Sequence, residues 1–167
     1  LKLIENNYFI FLLCLISRLI TSIDYAEDID SQRFALSLID YNLLELRPHF
    51  PGYPIFCFFC KIIYNITNSI QFTFSSIGAI SLYLIIIYSQ RINKVLFSYN
   101  SIFLSILIFF NPLLWNLSNR YMSDLFGLSI LMIIFYNLIR NIKNMSEINL
   151  IKSFFLTGIL IGVRISF

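Results

Sequence analysis

The stretch "PIFCFFCKIIYNIT", Pro54 to Thr67, decides how this chain is organised, because whether it crosses a bilayer sets the sidedness of everything that follows it. It falls short of the roughly 20 apolar residues that a helical span requires, and it carries Lys61 in its middle. It therefore reads as a helix lying at a membrane interface or dipping into it. Its two cysteines, Cys57 and Cys60, form C-F-F-C, but in an aromatic run without a βαβ pattern around them they do not read as a redox pair. Cys14 is the third cysteine.

The rest of the chain supports a membrane setting. Hydrophobic residues make up 58% and aromatic residues 17% of the sequence, against roughly 45–50% apolar residues in soluble domains. The formal charge of +3 is spread over many short segments, which argues against nucleic acid or an acidic partner. Besides Pro54–Thr67, stretches at about 6–23, 69–89, 95–116, 122–139 and 149–166 approach the length of a span. The expected fold is all-α: a polytopic helical membrane protein with about five transmembrane helices, plus interfacial helices in the first loop. The expected division is a first span over 1–23, an extracytoplasmic loop over 24–68 and further spans over 69–167. Because the chain opens on Leu1 and stops within the apolar "GVRISF", it reads as an amino-terminal fragment.

Orientation follows from the basic residues. If 54–67 does not cross, "QRINK" (Arg91, Lys94) and "RNIKN" (Arg140, Lys143) share one side, and the acidic loop shares the other with "NLSNRYMSD". Positive loops mark the cytoplasmic side, so the acidic loop and the turn before Asp124 are expected outside. Arg18 and Lys61 are expected to snorkel towards water.

Six of the nine acids, Asp24, Glu27, Asp28, Asp30, Asp40 and Glu45, fall in the loop between the first two spans. The loop also holds "SQRFALSLIDYNLLEL", whose apolar residues favour one side of a helix lying in the headgroup plane. Asp30 stands at the start of that run, where a carboxylate commonly serves as an N-cap. The run ends at "RPHFPGYP", Arg47 to Pro54, where Pro51, Gly52 and Pro54 set a stiff turn. His49 and Tyr53 suit the headgroup level. Arg47 offers a planar fork for a phosphate, or for a salt bridge to Glu45 or Asp40.

Taken in order, "DSQRFALSL", "RPHFPGYP", "NPLLW", "NRYMSDLFGL" and "GVR" resemble the amino-terminal part of membrane-embedded GT-C type glycosyltransferases, the group that includes protein mannosyltransferases and aminoarabinose transferases. Phe50 departs from that pattern, which has a proline there, and "GVRISF" lacks the proline usual near its serine. The resemblance implies a transferase in a bacterial plasma membrane. It would take sugar from a lipid-linked, polyprenyl-phosphate donor at the extracytoplasmic face and pass it to an acceptor hydroxyl of a glycan, lipid or protein. By matching position Asp30 becomes the general base, and Asp124 matches a second acidic residue of the catalytic site that in related enzymes helps bind acceptor or metal. Arg47, His49, Arg120 and Arg164 become candidates for the donor phosphate, Arg164 also because an intramembrane arginine needs a partner. His49 and Asp124 could contribute to a divalent metal ion site, although no spacing demands one and no other cofactor is implied.

Two other classes compete with an enzyme. A transporter or channel should carry ionisable residues near the midplane on broken helices, often in two related halves; here they gather near one face and no repeat is visible. A structural or nonfunctional membrane remnant is the third possibility.

Overall fold

The computed structural model of the chain describes residues 7–98, 102–145 and 147–166. Its described elements are helical: α1 (Asn7–Ile20), α2 (Ile29–Ser37), a short 3-10 turn (Leu43–Glu45), α3 (Pro54–Thr67), α4 (Ile70–Phe97), α5 (Ile102–Phe109), α6 (Pro112–Leu117), α7 (Asp124–Asn144) and α8 (Glu147–Val163). Two of these, α4 and α7, are long and apolar enough to cross a membrane, whereas α1 and α3 are apolar but shorter.

Helix α4 is the central element, packed by α1, α3, α5 and α7, and α8 completes the bundle against α7 and α3. Contacts at its two ends fix the directions. Phe11 meets Tyr83 with ring centroids 5.4 Å apart, and Gln71 donates to Ser22 Oγ at 2.7 Å, so α1 runs antiparallel to α4. Phe74 stacks on Tyr121, just before α7, while Lys143 near its far end donates to Val95 O at 2.9 Å, so α4 and α7 run parallel. Helix α8 returns to bring Arg164 back to Asp124.

Polarity is distributed inside out. Thr73, Ser75, Ser81, Ser105, Ser118 and Ser129 are buried between helices, while Leu12, Ile16, Phe103, Leu107, Ile151 and Phe154 face outward. Small hydroxyl residues let helix backbones approach and can return their hydrogen bond to their own helix, as Ser81 does to Ile77 O at 2.7 Å. The closest approach is at Gly78 of α4. A Cβ there would lie 1.7 Å from the Ser118 carbonyl oxygen, just past the end of α6.

Residues 54–67 form one 14-residue helix, packed on the first turns of α4 through Phe56 and Phe74. Its first turn touches the end of α8, where Ile55 lies against Gly162. Phe59 meets Phe126 in the first turn of α7, and Asn68, in the left-handed conformation, turns the chain straight into α4. Because those partners all lie at one end of the bundle, α3 lies across that end, as its length suggests. Phe56, Cys57 and Cys60 are buried beneath it, and Phe58, Ile62 and Ile66 face outward. Both cysteines are free thiols in the core.

Three expectations need correction. The span expected over 95–116 is not one helix: α4 continues through "QRINK" to Phe97, and α5 and α6 are separate short helices. The break between them is made by Asn111, whose side chain caps Leu113 N and Leu114 N at 3.0 and 3.1 Å, and by Pro112, which suits the first position of a helix but not its interior. Likewise the amphipathic run from Ser31 is helical only to Ser37. Asn42 then caps the 3-10 turn and exchanges two backbone hydrogen bonds with Arg47, closing a small loop. Arg18 does not snorkel: it is 0% exposed, and its guanidinium lies 3.6 Å from the Trp115 ring centroid, with Phe109 on another side at 5.4 Å. All three of its nitrogens lack a hydrogen-bond partner among the described residues. Lys61 is exposed, and its ammonium also donates to Leu38 O and so ties α3 to the end of α2.

Candidate functional site

The acidic loop folds over the end of the bundle where α4 and α7 begin and α8 ends. Asp28, not Asp30, caps α2, accepting from Ser31 N at 2.7 Å. Sequence alone could not separate the two, because either aspartate stands where a cap is wanted; only the helix start at Ile29 decides it. Asp28 also accepts from Arg120 of the α6–α7 turn, and Arg120 Nε lies 2.6 Å from Glu27 Oε2 without the alignment of a hydrogen bond. The Ser31 N–H above all, with Arg120 adding to it, holds the Asp28 carboxyl below its usual range, against a smaller opposing effect of burial. A depressed carboxylate stabilises the fold above its ordinary pKa and loses that contribution as pH falls through the lowered one. Acid therefore loosens this clasp.

With the cap supplied by Asp28, the Asp30 carboxylate in the first turn turns outward and is 45% exposed. Arg33 Nη1 stands 3.4 Å away and His49 Nδ1 3.5 Å away. The "RPHFPGYP" loop delivers that histidine. Its Arg47–Pro48 and Phe50–Pro51 peptides are cis, and Gly52, at φ +93°, donates to His49 O at 2.9 Å. Glycine is required here, since a side chain would be strained at that φ and its Cβ would meet Leu43 and Tyr41. The turn sets His49 Nε2 3.0 Å from Tyr53 Oη and packs both rings edge-on against Phe34.

Tyr53 is the residue that sequence reasoning missed. It reads as a headgroup anchor, yet it stands among the ionisable groups. Burial raises the pKa of its hydroxyl, the charge of Arg164 opposes that, and the charges of Asp30 and Asp124 reinforce it. Arg164 Nη1 binds Asp124 Oδ2 at 2.9 Å, and its Nε donates to Ser166 Oγ at 2.9 Å. The structure thus joins Asp30 and Tyr53 through His49 and pairs Asp124 with Arg164, whose charges act on the Tyr53 hydroxyl.

Arg47 and Arg120 stand at the edges. Arg47 takes the salt-bridge alternative, to Glu45 at 2.8 Å and Asp40 at 3.6 Å, and Arg120 is committed to Glu27 and Asp28. Such half-exposed pairs contribute roughly 0–1 kcal/mol each, so they orient the loop more than they stabilise it. His49 and Asp124 turn to different partners, and among the described residues no three His, Cys, Asp or Glu side chains are grouped to hold a metal ion.

Two cavities open nearby. One of about 330 Å³ lies between α2 and α3, lined by Ser37, Tyr41, Cys57 and Lys61, and one of about 430 Å³ is lined by Asp24, Tyr64, Gln71 and Tyr121. Neither is lined by Asp30, His49 or Asp124. The ionic cluster is only partly exposed, His49, Asp124 and Arg164 being largely covered and Asp30 the most open. Outward apolar residues surround it, with Leu44 96% and Phe50 85% exposed. Comparisons with protein-family models, with curated proteins and with solved structures give no match to this chain.

Proposed function

We propose that this chain is a membrane-embedded transferase that takes a sugar from a polyprenyl-phosphate carrier at the ionic end of its bundle. The observation that carries the reading is the convergence of Asp30, His49, Tyr53, Asp124 and Arg164 at that end, although they come from three separated parts of the chain. In this reading an acceptor hydroxyl attacks the anomeric carbon and its proton passes to the Asp30 carboxylate. The bond from that carbon to the carrier phosphate breaks with its electron pair on the phosphate oxygen. His49 and Arg33 hold the carboxylate in place, and Arg164 and Arg47 meet the charge left on the phosphate. A guanidinium has five N–H donors in a fork, so a phosphate can share these arginines with the carboxylates they already hold.

The surrounding Leu44, Phe50, Phe58 and Ile62 side chains suit an interface where a lipid-linked donor arrives. The outward apolar faces of α1, α4, α5, α7 and α8 support a bundle lying in a bilayer, with the amino terminus, Arg91 and Arg140 on the cytoplasmic side. A cysteine at Leu44 in a cysteine-free background should then react with an impermeant thiol reagent in intact cells, while one at Lys94 or Ile142 should not. Labelling of all three from outside would overturn the orientation.

Donor binding is tested by Arg47→Ala and Arg164→Ala in protein reconstituted with labelled polyprenyl-phosphate hexose. Loss of a charge-assisted hydrogen bond, about 1.5–3 kcal/mol, should raise the donor KM by roughly tenfold or more. An unchanged KM in both variants rejects the assignment of these arginines.

A further inference from the structure

At the opposite end of the bundle a cavity of about 420 Å³ opens between α4, α7 and α8. We propose that it binds the phosphate of an anionic phospholipid drawn from the cytoplasmic leaflet. The inference rests on the bundle crossing a bilayer and is independent of sugar transfer.

Three cations line the cavity, Arg91 from α4, Arg140 from α7 and Lys152 from α8, and no carboxylate does. Glu147, the acid of the first turn of α8, is outside the lining. The contrast with the other end is sharp. Arg33, Arg47, Arg120 and Arg164 all have carboxylate partners, whereas among the described residues Arg91, Arg140 and Lys152 have none. Three positive charges drawn from three helices around one concavity repel one another, and an anion seated between them removes that cost.

The two guanidinium groups are also held in place. Arg91 Cζ lies 4.8 Å over the Tyr88 ring and 6.0 Å from that of Tyr136, and Arg140 Nη1 stands 3.5 Å from Tyr136 Oη. Stacking fixes the guanidinium planes before a ligand arrives, which lowers the entropy lost on binding. Asn137 and Asn149 add buried amides to the wall. A lipid, more than a free phosphate compound, is favoured by what adjoins the cations: Phe155 lines the same cavity and is itself largely exposed, as is Ile151 one turn away on α8. An acyl chain can lie along that strip while its phosphate occupies the cavity.

The test uses the whole chain, purified in neutral detergent and checked for resistance to alkaline extraction from membranes, which reports insertion separately. Native mass spectrometry with phosphatidylglycerol against phosphatidylcholine should show a preference for the anionic lipid. Arg91→Gln, Arg140→Gln and Lys152→Gln should each reduce it about fivefold, the equivalent of about 1 kcal/mol per cation at an anionic surface. Lys94→Gln, at the same end but outside the cavity, should leave it unchanged. Equal loss in all four variants would mean general surface charge and would sink the proposal. Displacement of the lipid by a millimolar excess of inorganic phosphate would assign the cavity to a soluble phosphate compound instead, and equal retention of the two lipids would reject it outright.

Discussion

Replacing Gly78 by alanine is expected to lower the thermal midpoint of the detergent-solubilised protein by roughly 4–8 °C. Helix propensity alone predicts the opposite, since alanine is favoured over glycine by about 1 kcal/mol in a helix interior. The steric effect is larger. The added Cβ would lie 1.7 Å from the Ser118 carbonyl oxygen and 2.6 Å from its carbon, and a backbone carbonyl cannot swing aside as a side-chain tip can. Overpacking of this kind typically costs about 1–3 kcal/mol, and more when backbone must shift. A net loss of about 2 kcal/mol corresponds to that change in midpoint for a chain of this size. Gly158→Ala is the control: nothing lies within 4 Å of its Cβ position, so propensity alone acts and the midpoint should hold or rise. Ser118 also leads directly to Arg120, so Gly78→Ala should loosen the clasp on Glu27 and Asp28 as well. An unchanged midpoint would remove the close approach from the fold.

The second large effect is chemical. Asp30→Asn is expected to reduce sugar transfer by about 10²–10⁴ while expression and insertion stay normal, because an amide cannot accept the acceptor proton and loss of a general base costs about that much. The fold gives the test its sharpness. Were Asp30 the cap of α2, a folding defect could be confused with a catalytic one; but Asp28 supplies the cap, and asparagine caps about as well as aspartate. Asp28→Asn should therefore keep α2, weaken the hold on Arg120 and change the rate little. Full transfer by Asp30→Asn would reject it as the base and direct attention to Asp124.

The all-helical character was legible in the sequence because apolar composition and periodicity are strong constraints: α1, α4, α7 and α8 each fall within or overlap an expected stretch, although among the described helices only α4 and α7 are long and apolar enough to cross a membrane. What failed was local competition. Hydropathy sums over 95–116 as if it were uniform, but a single Asn-Pro pair offers a helix start in mid-stretch, and the chain takes it. For Arg18 the assumption was that water was the best partner within reach. The indole of Trp115 is nearer once α6 has folded back, and no window along the sequence contains both. Asp30, His49, Asp124 and Arg164 stand out in the sequence as ionisable residues because they interrupt apolar or turn contexts. Tyr53 does not, because a tyrosine beside two prolines has an adequate explanation as an anchor, and only the folded chain sets its hydroxyl beside His49.

The burial of Arg18 has a consequence for the order in which such a chain can be assembled. Arg18 stands in the last turn of α1, and a guanidinium taken out of water without a hydrogen-bond partner is costly unless something covers it. The desolvated guanidinium recovers about 2 kcal/mol from an aromatic face, but the face it uses belongs to α6, which leaves the ribosome only after α4 and α5 have been made. α1 therefore reaches its final packing only after α6 has been made, although it precedes α6 in the chain.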